Sequence, residues 1–144
     1  MIRINAFAST DETIDDTLCL PFEKRQKSRQ RVRLVSGLEA GLLLPRGTIL
    51  RGGDCLLSEN GRVIQVEAEA EQVSTVTSQE PLLLLRAAYH LGNRHVPLQV
   101  TKDSLRYLHD HVLDEMIMQL GLEFAHERLP FEPEPGAYQG HNHH

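Results

Sequence analysis

The spacing of apolar and polar residues changes character near Glu71. Before that point, apolar residues come in short runs separated by turn formers. Residues 16–20 (Asp-Thr-Leu-Cys-Leu) are one such run, and residues 29–35 are another, with Arg29, Arg31 and Arg33 on one face. Runs at 41–44, 48–51, 54–57 and 63–66 follow, punctuated by Pro45-Arg46-Gly47, Gly52-Gly53 and Asn60-Gly61. Short runs bounded by Gly, Pro and Asn predict strands. Asn60-Gly61 is the strongest turn signal, because both positions tolerate the positive φ that a tight hairpin needs. No convincing helical stretch interrupts this half, so residues 1–72 are expected to form a small all-β domain.

Beyond Glu71 two periods alternate. Residues 73–77 read as a strand. Pro81 suits the first turn of a helix, which then runs through Leu82, Leu83, Leu84, Leu85, Ala87, Ala88 and Leu91. Gly92-Asn93 is expected to close it in a left-handed cap. Residues 96–100 and 105–108 read as strands around a turn at Thr101-Lys102-Asp103. Val112, Leu113, Met116, Ile117 and Leu120 then recur at helical spacing, with Asp110 as N-cap and Gly121 as stop. Residues 122–129 supply a last strand. The order β-α-β-β-α-β is that of a ferredoxin-like domain, with two helices on one face of an antiparallel sheet. The fold class is therefore α+β: an all-β domain (1–72), a ferredoxin-like domain (73–130), and a flexible linker with a histidine-containing tail (131–144).

Composition narrows the function classes. The 144-residue chain is 40% hydrophobic and 24% charged, which suits a folded protein rather than a disordered one. The longest apolar run, Leu82 to Leu85, is far too short for a bilayer, and the N-terminus does not read as a secretory signal. Cys19 and Cys55 stand far apart with no CxxC spacing and are expected to be small buried hydrophobes, so a reduced, cytoplasmic setting is expected. The net charge is −5, and the part after Gln72 is the more acidic, with 5 basic and 9 acidic side chains. That balance favours cations over nucleic acid, which needs a basic face to release counterions. Lys24, Arg25, Lys27, Arg29, Arg31 and Arg33 form a basic stretch, either a solvated strand face or a dock for an acidic protein. No aromatic side chains are interleaved with it for base stacking.

All eight histidines lie from His90 onward. Imidazole suits nickel, copper and zinc. His95 falls where a helix ends and a strand begins. His109 and His111 straddle Asp110 at the entry to the second helix, where both rings can stand free and meet one metal. His141, His143 and His144 end the chain. His90 and His126 fall inside regular elements and read as structural. A single His95 would bind a divalent ion weakly, but a two-fold axis brings two copies together. No phosphate loop, nucleophile turn or His-Glu-x-x-His helix is present. The pattern points to a protein that holds metal rather than one that uses it. Two other readings stay open: a metal-dependent hydrolase, for which Asp114 and Glu115 are the nearest acids but fit a solvated helix face, and an interaction module with incidental histidines.

The run Tyr89-His-Leu-Gly-Asn-Arg-His-Val-Pro-Leu-Gln99 resembles the hallmark of the UreE family of urease accessory proteins. Gly41-Leu-Leu-Leu-Pro-Arg-Gly47 and Leu50-Arg-Gly-Gly-Asp54 resemble its N-terminal domain. Leu105-Arg-Tyr-Leu-His-Asp-His-Val-Leu-Asp114 resembles its second metal region, and Leu129-Pro-Phe-Glu-Pro-Glu134 its exit to the tail. The resemblance implies a nickel metallochaperone that delivers Ni(II) to apo-urease, and not an enzyme. It implies a peptide-binding-like β domain, a homodimer, and a central nickel site made by His95 of both subunits. It implies peripheral sites at His109 and His111 that also take Cu(II) or Zn(II), and added nickel capacity in His141, His143 and His144. The implied partners are the accessory GTPase of the same pathway and the complex of urease apoprotein with its accessory proteins, with no nucleic acid and no membrane.

Overall fold

Ile2, Ile4 and Ala6 alternate with Arg3 and Asn5, and this run forms β1 (Ile2–Phe7), with Ile4 fully buried. The computed structural model describes residues 1–9 and 11–135. The chain divides into two compact units, residues 1–69 and the segment from Ala70 onward. In the first unit β1 is joined by β2 (Asp16–Leu20), β3 (Arg29–Arg33), β4 (Glu39–Leu43), β5 (Cys55–Ser58) and β6 (Val63–Ala68). They make one six-stranded sheet in the order β2-β6-β5-β1-β4-β3. The β1–β4 and β2–β6 pairs are parallel, and the rest are antiparallel. Its core is aliphatic: Ile4, Leu18, Leu42, Leu56 and Ile64 are among the side chains withdrawn from solvent.

Four sequence expectations change in this unit. β1, near the middle of the sheet, is an addition. Residues 48–51 form no strand, because their backbone is engaged elsewhere. The Leu50 N–H donates to Arg25 O across 2.8 Å. The Arg25 guanidinium donates back to Leu50 O at 3.2 Å and to Leu20 O at 3.0 Å. Arg25 belongs to a single helical turn, α1 (Phe22–Arg25), that the all-β reading lacks. It is fully buried and lies over the Phe22 ring, so one cation of the basic stretch is a core tie, while Arg29, Arg31 and Arg33 stay exposed on the edge strand β3. Finally, among the described residues Gly61 but not Asn60 takes positive φ. Ser58 N–H donates to Arg62 O and Gly61 N–H to Ser58 O, which is a three-residue hairpin with the glycine as its left-handed residue.

The second unit runs β7 (Ala70–Thr77), α2 (Pro81–Asn93), β8 (Gln99–Val100), β9 (Ser104–Leu108), α3 (His111–Gln119) and β10 (Glu123–Pro130). Its sheet has the order β10-β7-β9-β8, with every neighbouring pair antiparallel. Ala87 and Leu91 of α2, Leu113 and Ile117 of α3, and Val76, Leu105 and Tyr107 of the sheet bury one another in a single core. β7 begins at Ala70 rather than Val73, and β8 is two residues rather than the five expected from residue 96. Asp110 caps α3, accepting from Val112 N and Leu113 N. Gly121 ends the helix at φ +87, with Gly121 N–H donating to Met118 O and Leu122 N–H to Ile117 O.

The segment after β10 departs from a free linker. Phe131 is fully buried, Glu132 N–H donates to the Gln99 side chain at 2.9 Å, and Glu134 N–H donates to Leu98 O at 2.8 Å. Burial of one aromatic ring and two backbone bonds hold residues 131–134 beside β8. His141, His143 and His144 lie outside the described residues. No helix among the described residues is long and apolar enough to cross a membrane.

Candidate metal centre

The end of α2 is where the structure and the sequence expectation differ most usefully. The left-handed residue is not Gly92 or Asn93 but His95, at φ 57, the one non-glycine residue with positive φ among those described. Arg94 N–H donates to Leu91 O and His95 N–H to Gly92 O, so the helix continues two residues further before it turns. Its left-handed cap position, usually a glycine, is occupied by an imidazole. An L-residue there costs about 1–2 kcal/mol against the ordinary conformation, although histidine tolerates it better than most. His95 is exposed, so no packing explains the choice. Strain at a solvent-facing polar residue is the kind that function accounts for.

One apolar stripe of α2 also faces solvent. Leu82, Leu85 and Tyr89 are 56%, 67% and 66% exposed, although their spacing sets them on one helix face. His90 is exposed as well, its ring edge-on to Tyr89 at 5.2 Å, so it holds no place in the core.

His109 and His111 are separated by the capping residue. His111 is the first residue of α3 and exposed. The ring that lies against His109 is that of His126 on β10, with centroids 4.0 Å apart and planes 15° from parallel. His126 is exposed rather than structural. Behind His109 sits a buried polar group. Its Nδ1 is 3.2 Å from Ser74 Oγ and 3.2 Å from Asp114 Oδ2. Ser74 Oγ donates to Asp114 Oδ1 at 2.7 Å, and the Tyr107 hydroxyl donates to the same oxygen at 2.6 Å. Asp114 is therefore a buried carboxylate, not part of a solvated helix face. Burial and the Asp114 carboxylate push the Tyr107 phenol well above its ordinary range.

The tautomer of His109 follows from these bonds. Ser74 has one hydroxyl proton and spends it on Asp114, so towards His109 it can only accept. Nδ1 then carries the ring proton, and Nε2 presents its lone pair. A carboxylate behind one imidazole nitrogen, with the other free, is the supporting arrangement that orients metal-binding histidines. From sequence, Ser74 and Tyr107 carry no role at the site, Asp114 reads as an acid on a solvated helix face, and His126 reads as a structural residue. A serine in β7 between Val73 and Val76 is the one local signal, because a buried hydroxyl needs a partner. Among the described residues no group of three or more His, Cys, Asp or Glu is arranged to hold an ion.

Residues 3–69 match the model of the UreE urease accessory protein, N-terminal domain, and residues 71–144 match that of its C-terminal domain. The chain belongs to the UreE family. It is 60% identical to the urease accessory protein UreE of Alkalilimnicola ehrlichii over 126 residues, 88% of this chain and 77% of that one. It is 52% identical to the UreE of Citrobacter koseri over 147 residues, 100% of this chain and 97% of the relative. With the UreE of Pseudomonas putida the identity is 53% over 144 residues, 99% and 89% of the two chains. The boundary between the two UreE family models coincides with the junction of the two units at Glu69 and Ala70.

Proposed function

We propose that this chain is a nickel metallochaperone: it binds Ni(II) and delivers it to apo-urease during assembly of the urease metallocentre, as an accessory protein rather than an enzyme. Family membership supports the accessory role in urease maturation. The observation that carries the nickel reading is His95, an exposed imidazole held in a left-handed conformation at the end of α2. One imidazole is a weak ligand, so the reading includes a homodimer in which two His95 rings meet. The exposed stripe of Leu82, Leu85 and Tyr89 on the same helix supports it, since solvent-facing apolar residues on one stripe suit a subunit interface. A shell with few protein ligands also favours release, because the acceptor can displace them one at a time.

His109 and His111 act in this reading as peripheral ligands that also accept Cu(II) or Zn(II). His141, His143 and His144 add capacity. The accessory GTPase of the pathway and the apo-urease complex are the receiving partners, in the cytoplasm. The β-α-β-β-α-β order of the second unit, with sheet order β10-β7-β9-β8, supports a ferredoxin-like reading for the metal-binding unit. The first unit serves as the peptide-binding-like docking domain. Titration calorimetry of the full chain with Ni(II) tests the central claim. His95→Ala removes the tightest site and leaves the weaker ones. Unchanged affinity at the tightest site overturns it.

A further inference from the structure

Strand β3 ends the sheet of the first unit, and its outer edge is open. Leu44 N–H donates to Ser28 O at 2.9 Å and Leu34 N–H to Leu38 O at 2.8 Å, so the even-numbered residues of this stretch exchange backbone bonds with β4. Bonded and unbonded pairs alternate in an antiparallel ladder, which turns the N–H and C=O groups of Arg29, Arg31 and Arg33 away from β4. No other described strand pairs with them. Past Arg33 the edge is taken up again, where Val35 N–H donates to Thr17 O at 2.9 Å. The three arginine side chains are exposed on one face of the sheet, while Val32 is buried on the other. Arg31 lies opposite Gly41 of β4, and Gly41 lies opposite Arg3 of β1, another exposed arginine. Gly41 leaves open space between them. Glu39 pairs with Arg33 at 3.4 Å, but Leu43 and Gly41, opposite Arg29 and Arg31, carry no charge.

We propose that the open edge of β3 docks an extended acidic segment of a partner protein, which adds to the sheet as a further strand. It rests on the reading of the first unit as a docking domain and adds to it the edge used and the chemistry of the segment. An added strand takes its backbone bonds from the N–H and C=O groups of Arg29, Arg31 and Arg33. Its alternate side chains then lie beside the three guanidinium groups, where opposite charges stabilise a cross-strand pair and like charges oppose one. Carboxylates meet guanidinium in paired, charge-assisted bonds, which fix register as well as affinity. A second copy of β3 is disfavoured, because its own arginines would face these, and edge strands use such charges against self-pairing. The chain has a net charge of −5, so cations without opposed carboxylates run against its overall sign. A nucleic acid brings phosphates but no backbone in ladder spacing for the edge, and no aromatic side chain stands among these arginines for base stacking.

Amide NMR of the full-length chain, labelled with 15N and titrated with a short peptide that alternates Glu and Thr, tests this docking. The peptide should shift the N–H signals of Arg29, Arg31 and Arg33 and slow their hydrogen exchange. Those of Gln30 and Val32, already bonded to β4, should change little. Lys in place of Glu in the peptide should abolish binding, and added salt should weaken binding of the acidic peptide. Arg29→Glu combined with Arg31→Glu should weaken it at least about tenfold. Methylating the peptide nitrogens that face β3 keeps the charge but removes ladder bonds, and should weaken binding to the unaltered chain about tenfold, whatever charge reversal does to the fold. Equal binding of the Lys peptide or of the methylated peptide, or no shift at the three arginine amides, overturns the proposal. So does tighter binding of a single-stranded oligonucleotide of equal charge at the same edge. Failure of the docking reading is a separate outcome: the acidic peptide then shifts these amides as expected, yet leaves capture of the apo-urease complex by the chain unchanged.

Discussion

The Tyr107 hydroxyl donates to Asp114 Oδ1 across 2.6 Å, in a core where both side chains are buried. The bond joins β9 to α3, and Asp114 in turn stands beside His109. Tyr107→Phe removes one donor from a buried carboxylate, which costs about 1.5–3 kcal/mol in a chemical denaturation series. The phenol also supplies a pH test. Its pKa is raised in the folded chain, so the folded state keeps a proton that the unfolded state loses. Stability therefore falls as pH rises above the ordinary tyrosine value of 10.0, and Tyr107→Phe removes that part of the fall. Ultraviolet titration of the folded protein against Tyr107→Phe should show no Tyr107 phenolate as pH passes 10.0. A Tyr107 phenolate signal near the ordinary value of 10.0 contradicts the arrangement.

His95 separates stability from function at one position. His95→Ala and His95→Gly both remove the imidazole, so under the proposed function both should lose the tightest nickel site. They differ in the left-handed backbone, which glycine adopts without a Cβ clash. The glycine variant should be more stable than the alanine variant by about 1 kcal/mol, read from denaturation midpoints at equal slope. Equal stability of the two would mean that residue 95 relaxes out of the left-handed region once the histidine is gone.

Local signals were legible where the physics is local. Asp110 and Gly121 bound α3 because a capping carboxylate and a left-handed glycine act within a few residues of their own positions. The order of elements from Ala70 onward also follows from the change of hydrophobic period. The His109–His126 stack does not, since it depends on β10 pairing with β7 in one register, and a one-residue slip turns His126 to the other face. Asp114 reads as a solvated acid for the same reason: its partners Ser74 and Tyr107 come from two strands distant in sequence. The left-handed residue misleads differently. Gly92-Asn93 is the stronger chemical signal for such a cap, and the helix runs past it to place the strain on His95.

Asp16 supplies a test in the acid range. Burial alone would raise its pKa, but the Ser36 hydroxyl and the Thr17 and Ser36 N–H groups all donate to the carboxylate, and Arg62 lies 3.7 Å away. Together they hold the pKa below its ordinary value of 3.8. A depressed folded pKa means that the unfolded chain takes up the proton first as pH falls. The contribution is therefore complete above the ordinary value and lost as pH drops through the folded one. These bonds tie the start of β2 to the turn after β3, so the loss should appear as unfolding of the first unit. Asp16→Asn keeps the shape but not the charge. It should lower the stability of the first unit by about 1–3 kcal/mol at neutral pH and flatten its acid dependence below pH 4 or so. Equal acid dependence in Asp16→Asn and the parent chain, followed by amide exchange of the β2 and β6 strands, would remove Asp16 as the cause.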